Sequence, residues 1–161
     1  MNAPAHRWLR AGLTVLTVLQ AVIGGWQYFA PHSFYTDVPT VAADPPYNEH
    51  LLTDVGGLGL ALAVILGASA LVMERNLIRA ALAGYLVYTV THLIFHVTHL
   101  AGLPGADPVL LTTGLALLPA VAVGLLLLTA RVPDPAGHPA QPRPPHRDST
   151  PARRGSRGRS S

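Results

Sequence analysis

The sequence predicts an all-α integral membrane protein, a four-helix bundle with up-down-up-down topology and both termini on the cytoplasmic side. Three observations carry this expectation. Half of the 161 residues are hydrophobic and only 12% are charged. Four long runs, about Leu9–Ala30, Leu51–Met73, Ala80–Leu100 and Val109–Ala130, are almost free of charge. The basic residues, all arginines, cluster at alternate ends of those runs. A helix needs roughly 20 apolar residues to cross a hydrocarbon core of about 30 Å, and each run meets that length. A soluble chain of this size has no interior large enough to bury four such helices.

The expected spans are 9–30, 48–73, 78–100 and 108–130, within a membrane domain covering 1–130. Arg7 and Arg10 precede the first span. Its apolar stretch is long for a signal peptide, and "GGWQYFAPHS" lacks a small-x-small cleavage site, so an uncleaved helix is expected. Trp8 at one end and Trp26 and Tyr28 near the other fit interfacial aromatic belts. The second span enters through "PPYNEHLLTDVGG", where Asn48 and Glu49 suit a helix N-terminus. Arg75 and Arg79 mark the turn into the third span, and Pro119 is expected to kink the fourth.

Small residues recur at fourfold spacing: Gly59, Ala63 and Gly67; Ala80 and Gly84; Ala116, Ala120 and Gly124. Such faces let helix backbones approach, within one chain or between chains of a homo- or hetero-oligomer.

Residues 131–161 form a tail rich in Pro, Gly, Ser and Arg, with seven arginines against Asp134 and Asp148. That composition supplies no core, so a disordered cytoplasmic tail is expected. Positive residues stay on the cytoplasmic side, which places both termini inside and the 31–46 and 101–108 loops outside a cytoplasmic (plasma) membrane. The tail's arginines suit anionic lipid, whereas the aromatic residues that stack nucleic-acid bases are missing. The absence of cysteine excludes disulfides, thiolate metal sites and cysteine nucleophiles.

The chemistry concentrates in "THLIFHVTHL", where His92, His96 and His99 fall on one helical stripe that Tyr85 and Tyr88 extend inward. At about 100° per residue, steps of four and seven return to nearly the same direction. On the second span His50 and Asp54 also share a face. Matching depths along antiparallel helices sets His50 level with about His99, Asp54 with about His96, and His92 near residues 56–58. Apart from the terminal segments, five histidines and five carboxylates fall in the outer half: His32, His50, His92, His96 and His99 with Asp37, Asp44, Glu49, Asp54 and Asp107. Only Glu74 falls inside. Ionisable groups in a membrane are costly and usually face a cavity or a partner.

The expected site is therefore an outward-facing His/carboxylate pocket between the second and third spans. Its candidate metal ligands are His50, Asp54, His92, His96 and His99, and its rim is formed by His32, Tyr35, Asp37 and Tyr88. Neutral imidazole and carboxylate suit zinc, iron, copper or manganese. Not all three stripe histidines can share one ion, because His92 and His99 are about 10 Å apart along the axis. Glu49 is the candidate base for activating bound water. Besides a metal-free polar pocket for a ligand or for proton transfer, two other readings stay open. One is a non-enzymatic membrane subunit with structural interfacial histidines. The other is a b-type haem held between His50 and a third-span histidine. The 31–46 loop is long enough to fold back as a lid or to lie as an interfacial hairpin.

"PHSFYTDVP" followed by "PYNEHLLTDVGGLGLALA" resembles a family of small four-helix membrane proteins common in high-GC Gram-positive bacteria, over roughly residues 9–130. The scale is also similar to the DoxX-like group of small membrane subunits. These resemblances imply the topology and bring no reaction and no catalytic residue.

Overall fold

The computed structural model describes residues 3–42, 46–99 and 108–130. The tail at 131–161, Asp44 and Asp107 lie outside the described residues. Those described form helices only: α1 (Ala3–Phe29), α2 (Pro31–Asp37), α3 (Pro39–Ala42), α4 (Glu49–Val72), α5 (Arg75–Thr98) and α6 (Pro108–Thr129). The four long helices are each long and apolar enough to cross a membrane.

Local chemistry sets the helix ends. Asn48 Oδ1 accepts from the Leu51 amide at 3.1 Å and opens α4. Glu74 caps α5 with both carboxylate oxygens, accepting from the amides of Asn76 at 2.8 Å and Leu77 at 2.6 Å. A cap oxygen satisfies amides that have no partner within the helix. The chain turns from α4 into α5 through Met73 at φ 56°, in the left-handed region, where its amide donates to Ser69 O at 2.9 Å. α1 starts earlier than expected: Pro4 suits a first helical turn, and nothing before Leu9 breaks the helix. α6 runs through Pro119.

α1 packs chiefly on α4, α5 on α6 and α4 on α5, while α6 also touches α1. The α1–α4 seam is made by glycines. A Cβ on Gly24 would lie 3.0 Å from the Gly56 carbonyl oxygen, and one on Gly56 would lie 2.6 Å from the Tyr28 amide nitrogen. Further along, Gly67 lies against Thr17. The expected small-residue face of the second span is thus the packing face. On α5 and α6 the packing differs from expectation. Gly84 and Gly124 have nothing near their Cβ positions, whereas Ala81 and Ala122 are buried.

The apolar core occupies one end of the bundle. Leu9, Leu13 and Leu16 come from the start of α1, and Leu66, Ala70 and Met73 from the end of α4. The start of α5 adds Ile78, Ala81, Leu82 and Tyr85, and the end of α6 adds Ala122 and Leu125. Arg7, Arg10, Arg75 and Arg79 belong to this same end. Large apolar side chains such as Val64, Leu71, Val87 and Leu127 point outward on the bundle surface. An apolar exterior of this extent suits lipid and is rare on a soluble monomer.

Candidate functional site

The end of the bundle away from the arginines has a different interior. α1 carries two glutamines seven positions apart, Gln20 and Gln27, and both are buried. In hydrocarbon a polar side chain without a partner costs several kcal/mol (roughly 2–7), so each needs an account. Gln20 has one. Its amide lies beside the Tyr88 side chain on α5. Its Nε2 also occupies the space above Gly59, where a Cβ would come within 2.8 Å. Gln27 has none: its Oε1 is buried and accepts no hydrogen bond.

From Tyr88 the polar face of α5 continues toward the helix C-terminus. The His92 ring stacks on Tyr88, with centroids 5.9 Å apart and planes 11° apart. His96 meets His92 edge-on at 4.6 Å. Tyr85 is buried and Tyr88 half-buried, whereas beyond them His92 and His99 are exposed and His96 is half-buried. A succession of rings at i and i+4 is what helical periodicity dictates.

His99 takes a different part. Its Nδ1 lies 2.8 Å from Phe95 O and 3.0 Å from Thr98 Oγ1, and its ring stacks on Phe95 at 4.3 Å. A carbonyl only accepts, so Nδ1 carries a proton. The third ring of the stripe thus closes the end of α5.

His50 and Asp54 pair on α4, with Nε2 and Oδ2 3.4 Å apart, but their side chains are 88% and 64% exposed. The pair lies on an open face of the first turns of α4. Among the described residues no three His, Cys, Asp or Glu side chains come together as a metal-holding group. The expected ligands are therefore found as two separate pairs, His50 with Asp54 and His92 with His96. Glu49, the candidate base, is exposed in the first turn of α4.

The expected rim divides in two. α2 folds against α1, burying Phe34, whose ring meets Trp26 edge-on at 5.4 Å. Trp26 Nε1 donates to Ser33 Oγ at 3.1 Å, and Ser33 Oγ donates to Asp37 Oδ2 at 2.8 Å. Asp37 also accepts from Thr36 Oγ1 at 3.0 Å. His32 and Tyr35 turn instead toward Tyr47, with ring centroids 5.3 Å and 5.4 Å away. Desolvation at this cluster, and then the Glu49 carboxylate, push the Tyr47 phenol above its ordinary value.

Sequence reasoning missed Gln20 and Gln27 because it counted ionisable groups only. Two amides on one face of an apolar span were the available signal. No family model, curated protein or solved structure matches the chain.

Proposed function

We propose that this chain is a multi-pass protein of the cytoplasmic membrane whose outward half holds a polar pocket for a divalent transition metal. In this reading both termini are cytoplasmic, the four spans run up-down-up-down, and the arginine end is the inner end. The observation that supports the pocket is the division of the interior. Apolar side chains close the arginine end. At the other end Gln20, Tyr88, His92 and His96 follow one another along a polar face.

Two imidazoles at i and i+4 are a recurring two-point clamp for a transition metal. His92 and His96 supply it here, and His50 with Asp54 supply a second donor pair from α4. Glu49 is the base within the same turn as His50 for a metal-bound water. Metal analysis of the detergent-purified protein tests this directly. His96→Ala and Asp54→Ala should each lose the metal, while His6→Ala at the arginine end should retain it. A wild-type protein without metal, or undiminished metal in His96→Ala, overturns the reading.

A second reading has its own support in the separation of the donor pairs and in the unpartnered Gln27 acceptor. The pocket then takes a polar organic ligand and no metal. Stability losses in His96→Ala and Tyr88→Phe that fail to add, with no metal in any sample, favour this second form.

A further inference from the structure

We propose that the rings of His32, Tyr35 and Tyr47, at the end of the bundle away from the arginines, form a binding site for an organic cation of the quaternary-ammonium class. The site is separate from the α5 histidine pair and does not depend on what that pair binds. α2 presents two different faces. Phe34 is buried against α1 and meets Trp26 edge-on, so that face is packing. His32 and Tyr35, three positions apart, share another face and turn to Tyr47, two residues before α4 begins. His32 is exposed and the two tyrosines are half-buried, so a solute can reach the rings.

The Tyr47 ring is inclined at 74° to His32 and at 59° to Tyr35, with centroids 5.3 Å and 5.4 Å away. Parallel stacked rings cover each other's faces, whereas inclined rings leave an angle between theirs. A cation in that angle can lie within about 6 Å of two centroids at once, the range over which a ring face attracts positive charge. The surrounding charge has the matching sign. Each tyrosine is followed two residues on by a carboxylate, Tyr35 by Asp37 and Tyr47 by Glu49. No Lys or Arg occurs between Arg10 and Arg75, so neither α2 nor the start of α4 supplies a cation of its own. An interfacial aromatic belt needs the rings alone. Rings with carboxylates beside them and no basic residue suit a cation from outside the chain. Aromatic faces bind a quaternary ammonium, which has no N–H to donate to a carboxylate.

The test titrates choline into full-length protein in an uncharged maltoside detergent, followed by saturation-transfer NMR of the choline methyl protons. The neutral carbon isostere of choline is the reference and should bind at least about 5-fold more weakly. Tyr47→Leu should weaken choline binding by about 2–30-fold, while Tyr47→Phe, which keeps the ring, should stay within about 2-fold of wild type. Phe29→Leu removes a ring that is 78% exposed and lies outside the cluster, and should leave binding unchanged. No choline binding to wild type, equal binding of the neutral isostere, or wild-type affinity in Tyr47→Leu overturns the proposal. Should Tyr47→Leu fail to fold, Tyr35→Leu carries the same outcomes. Reconstitution then identifies the source of the cation. Choline that binds in phosphatidylglycerol bilayers and not in phosphatidylcholine bilayers points to a lipid headgroup as the occupant, and equal binding in both points to a free cation; either result supports the site.

Discussion

Gly56→Ala isolates the contact that holds α1 to α4. The added Cβ would lie 2.6 Å from the Tyr28 nitrogen, 2.8 Å from the Gly24 oxygen and 3.0 Å from the Gln27 carbonyl carbon, whereas ordinary contact begins at 3.4 Å. All three neighbours are backbone atoms, so no side chain can rotate away. Bringing the shortest approach from 2.6 Å to 3.4 Å requires α1 to move off α4 along the seam. Overpacking of this kind costs roughly 1–3 kcal/mol. Alanine's better helix propensity returns about 0.5–1 kcal/mol, which leaves a net loss of roughly 0–2.5 kcal/mol, centred near 1 kcal/mol. Gly84→Ala, Gly114→Ala and Gly124→Ala are the controls, because nothing lies within 4 Å of their Cβ positions. Each control should gain about 0.5–1 kcal/mol from propensity alone. Reversible denaturant unfolding in mixed micelles, followed by tryptophan fluorescence, measures all four variants. A Gly56→Ala protein as stable as wild type, or controls that lose as much as Gly56→Ala, would refute the seam.

Other perturbations separate the remaining parts of the fold. Glu74→Ala removes the acceptor for two amides at the start of α5 and should cost about 1 kcal/mol in the same unfolding assay; no change would deny the cap. Gln27→Met replaces a buried acceptor that has no partner, so stability should hold or rise by up to about 1–3 kcal/mol. A clear loss there would mean that the Gln27 amide has a bonded role. Phe34→Ala should free α2 from α1 and raise hydrogen exchange in residues 31–37, leaving α4 and α5 protected. Exchange that rises equally throughout would show that α2 folds as one unit with the bundle.

The spans were legible because charge is confined to their ends. Glu74, Arg75 and Arg79 bracket one turn, and no charged residue interrupts the runs between Asp54 and Met73 or between Arg79 and Leu100. The fourfold spacing of Gly59, Ala63 and Gly67 identified the packing face of α4. The same spacing at Ala80 and Gly84 did not, since in lipid a small residue lowers the cost of close approach without requiring it. Gly24 and Gly56 form the tightest crossing, yet nothing in one sequence says which glycine on α1 meets which on α4. The short α2 and α3 are not legible in the sequence, because Pro31 and Pro39 resemble loop punctuation as readily as first helical turns. The stripe His92–His96–His99 was visible as periodicity. Its division into a contacting pair and a ring that closes the helix depends on the Phe95 carbonyl, which periodicity does not reveal.

The central claim is that the histidine pair faces a pocket open to the outside, behind an apolar plug at the inner end. The protein contains no cysteine, so a single introduced thiol reports one position without background. His96→Cys, His99→Cys and Leu82→Cys, produced in cells, are exposed to a membrane-impermeant maleimide added from outside. Labelling at residues 96 and 99 and none at residue 82, which is fully buried in the plug, is the predicted result. A silent residue 96 in intact cells that reacts in inside-out vesicles would contradict the account.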